Sequence, residues 1–112
     1  MHRVRYFICL SLVLCLSLKL AAQNHETSIS GTVTDPTGAL VRGATVDVLA
    51  HNAVVATVTT NQKGRYIASV PGTGTYEIRV NAPGFKMNDS QVVVSSGPTT
   101  TIRDITLRLN SL

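Results

Sequence analysis

The chain of 112 residues has no tryptophan, two cysteines, three histidines and only five phenylalanines and tyrosines together. Each scarcity excludes a class of chemistry. Both cysteines, Cys9 and Cys15, fall inside an N-terminal apolar stretch, so the rest of the chain has no disulfide and no thiol nucleophile. His2, His25 and His51 are far apart in sequence. A zinc protease needs two histidines and a carboxylate at defined spacing, and the adjacent His25-Glu26 does not supply it. Serine and threonine are plentiful, yet no histidine–acid pair follows a nucleophile elbow. Gly72 and Gly74 join strands with no helix behind them, so they do not form a phosphate loop. No catalytic, cofactor-binding or metal-binding constellation emerges, and the chain is expected not to be an enzyme.

The N-terminus carries a different message. Arg3 and Arg5 precede the apolar run Tyr6 to Leu18, and Lys19-Leu20-Ala21-Ala22-Gln23 follows with small residues. This is the layout of a secretory signal peptide over residues 1–22, with cleavage after Ala22. The run is shorter than the roughly 20 residues of a membrane span. An uncleaved anchor is the alternative. Residues 23–27 are expected to form a loose tail. Loss of Arg3, Arg5 and Lys19 would leave seven basic against six acidic residues, a net charge of about +1. The pI near 9.5 is therefore in part a property of the leader, and nucleic acid is not an expected partner. The roughly 90 residues that remain suit one domain with one modest core.

What is present is β pattern throughout. Ile29, Gly31 and Val33 alternate with Ser28, Ser30 and Thr32. Val46 and Val48 flank Asp47, and His51-Asn52 marks a hairpin bend before the β-branched run Ala53 to Thr60. Tyr66, Ala68 and Val70 share one face, as do Tyr76, Ile78 and Val80, with Glu77 and Arg79 opposite. Ser90 to Val94 and Thr99 to Leu109 complete the set. In the last, Ile105, Leu107 and Leu109 are expected inward, and Arg103-Asp104 suggests a bulge. Asp35-Pro36-Thr37-Gly38, Asn61-Gln62-Lys63-Gly64, Pro71-Gly72-Thr73-Gly74 and Ala82-Pro83-Gly84 have the residues that turns require. Seven short strands with turns every eight to twelve residues predict a single seven-stranded antiparallel β-sandwich over residues 28–109.

Ile29-Ser30-Gly31-Thr32-Val33-Thr34-Asp35, Gly38 and Gly43-Ala44-Thr45-Val46 resemble the opening of the carboxypeptidase regulatory-like domain. Thr57, Thr59, Thr60, Gly64, Tyr66, Pro71, Gly74, Tyr76, Ile78, Val80, Gly84 and Phe85 continue that resemblance. It implies a transthyretin-like (prealbumin-like) sandwich. Asn61 stands where the family commonly has Asp, and both residues suit a turn. The family usually occurs attached to a larger protein, such as a metallocarboxypeptidase or an outer-membrane transporter, whereas this chain ends at Leu112, so no catalytic domain is expected here.

Structural roles follow from the residues themselves. Gly64 and Gly74 each let an aromatic residue enter the core from a tight corner. Gly31 sits mid-strand on the inner face, where glycine costs stability, so a strand or ring is expected to approach it closely. Phe85 is expected to cap one end of the sandwich. Glu77 and Arg79 are expected to make weak surface pairs, and Asn88-Asp89-Ser90 fits a glycosylation sequon. The combined expectation is a secreted or periplasmic, non-enzymatic module with a structural or protein-interaction role. Its partner would be another envelope or secreted protein. A carbohydrate-binding module is the alternative, weakened by the lack of tryptophan for sugar stacking.

Overall fold

The structure, a computed structural model, describes residues 27–97 and 99–110. The expected signal peptide, and the tail up to residue 26, lie outside the described residues. The described elements are all strands: β1 (Thr27–Thr34), β2 (Thr45–Ala50), β3 (Ala53–Thr59), β4 (Arg65–Val70), β5 (Gly74–Asn81), β6 (Phe85–Lys86), β7 (Asn88–Val94), β8 (Thr100–Ile102), β9 (Ile105–Thr106) and β10 (Arg108–Leu109). Thr27, assigned to the tail from sequence, opens β1 and pairs with Val70.

One sheet has the order β4-β1-β8, with β9 also on β1; another has the order β3-β2-β5-β7; β6 and β10 form a short ribbon. The period-two patterns fix which faces meet. Ile29 and Val33 of β1, Tyr66, Ala68 and Val70 of β4, and Ile105 and Leu107 are buried in one cluster with Val46 and Val48 of β2, Tyr76, Ile78 and Val80 of β5, and Val92 and Val94 of β7. Apolar alternation from both sheets thus meets in a single core, the arrangement of a β-sandwich.

The count and the pairing depart from seven antiparallel strands. The expected last strand is broken into β8, β9 and β10, and Phe85–Lys86 adds β6. Both β8 and β9 run parallel to β1. The partners Ser28↔Thr100, Ser30↔Ile102, Val33↔Ile105 and Thr34↔Thr106 keep one constant register. Nothing is inserted at Arg103-Asp104, so the expected bulge is absent there; the strand only lifts away and returns. Ile102 simply points outward, in phase with the alternation that buries Ile105 and Leu107. The register shift lies instead in β3, where Val48 pairs with Ala56 but Leu49 pairs with Val54, leaving Val55 as the extra residue. Leu109, expected inward, is 65% exposed, because β10 leaves the sheet for the ribbon with β6.

The turns explain the corners. His51 and Asn52 both have positive φ, at 51° and 64°, which is the two-residue type I′ hairpin that matches strand twist. Phe85 N–H donates to Ala82 O at 3.1 Å, closing Ala82-Pro83-Gly84-Phe85 with Gly84 at φ 83°, as a type II turn demands.

Candidate functional site

A set of close, specific contacts surrounds Gly31. It faces Tyr66 across the β1–β4 ladder. A Cβ at Gly31 would lie 1.9 Å from Arg103 O and 3.0 Å from Tyr66 Cε1, so only glycine admits both neighbours. The close approach expected from sequence is therefore present, and it is made by backbone and ring together. The Tyr66 hydroxyl donates to Arg103 O at 2.5 Å, Arg103 N–H donates to Ser30 O at 2.7 Å, and Asp104 Oδ1 accepts from Thr32 N–H at 2.9 Å. Where β8 lifts off β1, these three bonds replace the missing ladder. Burial, and secondarily the negative charge of Asp104, push the Tyr66 phenol up to about 12, so it stays protonated and donating.

An open groove of about 280 Å³ lies over this junction, lined by Ser30, Gly31, Thr32, Arg65, Tyr66, Ile102 and Asp104. The tyrosine is committed to a carbonyl and kept neutral, and the carboxylate is committed to a backbone amide.

Two loops beside it are built alike. Asp35 Oδ1 accepts from Thr37 N–H and Ala39 N–H at 2.8 and 2.9 Å, while Gly38 N–H donates to Asp35 O at 3.0 Å. Asn61 Oδ1 accepts from Lys63 N–H and Arg65 N–H at 2.9 and 3.0 Å, while Gly64 N–H donates to Asn61 O at 3.0 Å. In both, the glycine has positive φ, 87° and 69°. Each is a type I turn followed by a left-handed glycine, with an Asx side chain holding the backbone. Since both side chains act through one acceptor oxygen, Asn61 serves as well as Asp. The Thr37 hydroxyl, opposed by desolvation and joined by the backbone donors of Ala39, Thr37 and Gly38, holds the Asp35 carboxyl below its ordinary value. Gly64 is confined as well as left-handed: a Cβ there would lie 2.9 Å from Val33 O.

Thr60, which pattern reading did not single out for a role, is the buried polar residue of this corner. Its hydroxyl donates to Val41 O at 2.8 Å and accepts from Ala44 N–H at 2.9 Å, tying the loop between β1 and β2 to the end of β3. Only the family-like threonine run marked it in the sequence.

The remaining predicted residues are placed as follows. Tyr76, Ile78 and Val80 are buried in β5. Gly72 and Gly74 have φ of 152° and 147° in the exposed corner after Pro71, and Tyr76 OH donates to Gly72 O at 2.7 Å. Phe85 is half-buried against the core, consistent with a cap and unlike an exposed stacking platform. His51 sits exposed in its hairpin. Among the described residues no group of three His, Cys, Asp or Glu side chains could hold a metal ion. On the outer face of the β3-β2-β5-β7 sheet, Arg79 Nε donates to Asp89 Oδ1 at 3.0 Å and its terminal nitrogen to Glu77 Oε1 at 3.4 Å, while Thr57 Oγ1 donates to Asp47 Oδ1 at 2.8 Å.

This combination of glycines, buried tyrosines and Asx turns matches a known pattern. The family model described as "Carboxypeptidase regulatory-like domain" matches residues 28–108. The chain belongs to this family. Among solved structures, the domain is similar to catechol 1,2-dioxygenase of Acinetobacter radioresistens (TM-score 0.62, 14% identity, covering 81% of this chain and 54% of that one). It is similar to 5-hydroxyisourate hydrolase of Klebsiella pneumoniae (TM-score 0.59, 16% identity, 76% and 93% covered). It is also similar to the pilus 2b backbone protein of group B streptococcus (TM-score 0.63, 16% identity, 77% and 42% covered). At such identities the likeness is one of fold, and the regulatory-like domain spans about half the length of the dioxygenase. A search of curated proteins returns no match. The family, the all-β class and the transthyretin-like sandwich expected from sequence therefore stand.

Proposed function

We propose that the chain is an exported, non-enzymatic β-sandwich module with a structural or protein-interaction role in the cell envelope or outside the cell. The family membership and the likeness to a pilus backbone protein support a structural β-sandwich module. The observation that carries the interaction role is the edge strand β3. Among the described strands it pairs only with β2, its sequence AVVATVT holds no charge and no proline, and Val54 and Val55 are 55% and 40% exposed. An edge lacking charged or proline guards is a template for an added strand, which docks through backbone groups. The bulge at Val55 restricts that template to the regular stretch beyond it, Ala56 to Thr59.

Export rests on Arg3 and Arg5, the apolar run and Ala21-Ala22. N-terminal sequencing of the protein recovered outside the cytoplasm should start near Gln23; an intact Met1 in the membrane fraction would favour an anchor. The interaction role is tested by placing a photo-crosslinker at Thr57 in β3 and, separately, at Gln91 in β7, in cells that make the protein. Reproducible adducts to one partner from Thr57 alone, lost in Val58→Pro, are expected. Saturable glycan binding at about 10 μM or tighter, equivalent to about −7 kcal/mol, would overturn this role in favour of a carbohydrate-binding module.

A further inference from the structure

Lys86 and Arg108 stand directly opposite each other in the antiparallel ribbon of β6 and β10. Residues so placed project from the same face with Cβ atoms about 5 Å apart, and like charges there are destabilising. Both line an open groove of about 270 Å³ whose other walls are Met87, Asn88 and Asp89. The one carboxylate in the groove is committed elsewhere: Asp89 Oδ1 accepts from Arg79 Nε at 3.0 Å. The other ion pair, Arg79 to Glu77, also belongs to Arg79, so among the described residues neither Lys86 nor Arg108 has a carboxylate partner. Asn88 Oδ1 accepts from Ser90 Oγ at 3.4 Å, which leaves its NH₂ group available to donate.

We propose that this groove binds a phosphate group, free or carried on a small molecule, between Lys86 and Arg108. Two cations held side by side match a dianion better than a monoanion. A guanidinium presents two parallel donors that fit phosphate oxygens, and an ammonium adds a compact charge beside them. The Asn88 amide supplies a neutral donor at the same rim. The Asp89 charge, facing the same groove, is offset by Arg79. The site is independent of β3, which lies at the opposite edge of the sheet whose β7 carries Asn88 and Asp89.

The test is a titration of the full chain, isotopically labelled, with sodium phosphate, glycerol phosphate, sodium acetate and sodium chloride at equal ionic strength, following amide shifts. Saturable shifts centred on Lys86 to Asp89 and on Arg108 are expected with phosphate and with glycerol phosphate, and no saturation with chloride or acetate. Lys86→Ala and Arg108→Ala should each weaken phosphate binding about tenfold, and the double variant should abolish it, while Arg42→Ala leaves it unchanged. A thermal melt guards against misfolding. Each single variant should melt no lower than the wild type without phosphate, since a repulsion is removed. Phosphate should raise the melting temperature of the wild type but not of the double variant. Equal shifts with chloride or acetate, shifts centred elsewhere, or phosphate binding that survives in the double variant would overturn the proposal.

Discussion

The phenol of Tyr66 donates to the backbone carbonyl of Arg103 over the bare Cα of Gly31. A strand three residues long, a break, and a strand two residues long are thereby kept in one register along β1. The glycine makes room, the ring fills it, and the hydroxyl satisfies a carbonyl that the ladder leaves unpaired.

Gly31→Ala should be among the most damaging single-methyl additions in the domain. Its Cβ would meet backbone at 1.9 Å, which side-chain motion cannot relieve. A cost of about 3 kcal/mol or more is expected. Gly38→Ala meets nothing within 4 Å and suffers only from its φ of 87°, for about 1 to 2 kcal/mol. Denaturant melts that reverse this order would contradict the junction.

Tyr66 should govern an alkaline limb of stability. Its folded value of about 12 lies above the ordinary 10.0, so the protonated phenol is favoured by folding. That contribution is whole below pH 10 and declines as the pH rises toward 12. Tyr66→Phe should be less stable at neutral pH, since Arg103 O loses its donor, but should show a flatter profile above pH 10. Equilibrium unfolding at several alkaline pH values checks both halves.

The two Asx loops should respond to acid differently. Asp35 has a lowered folded value, so its contribution is present above the ordinary carboxylate range and is lost as the pH falls through the folded value. Asp35→Asn, which keeps the acceptor, should remove part of the acid sensitivity. Asn61→Asp should be close to neutral at pH 7, and Asn61→Ala should cost about 1 to 2 kcal/mol by freeing two backbone donors. Stability measured from pH 2 to pH 7 distinguishes them.

The strand phase of β5 yields a paired comparison. Ile78 is fully buried, and Ile78→Ala should cost about 2 to 5 kcal/mol. Arg79, on the outer face with side-chain exposure of 37%, should cost about 1 kcal/mol or less on mutation to Ala despite its two carboxylate neighbours. Equal costs would mean the strand is out of phase by one residue.

The inward rows of β4 and β5 were legible because period-two alternation is a local property of the chain. Tyr66, Ala68 and Val70, like Tyr76, Ile78 and Val80, show it within six residues of sequence. The turn at His51-Asn52 and the glycine corners were legible for the same reason. Gly31 could be recognised as crowded, since an unexplained mid-strand glycine implies a neighbour, but not which neighbour. Leu109 misled because alternation continues in the sequence after β10 has left its sheet for β6.

The sequence by itself determined the β class, the core-facing side of most strands, the turn positions and the family pattern. All of these depend on residues within one strand or one turn of each other. Only the tertiary structure decided the parallel pairing of β8 and β9 with β1, the roles of Thr60 and Arg103, and the confrontation of Lys86 with Arg108. Those contacts join residues separated by 16 to 73 positions in the chain (Ala44 to Thr60, and Ser30 to Arg103). Strand direction, register and cross-strand charge depend on where the connections carry each segment, and no local periodicity records that.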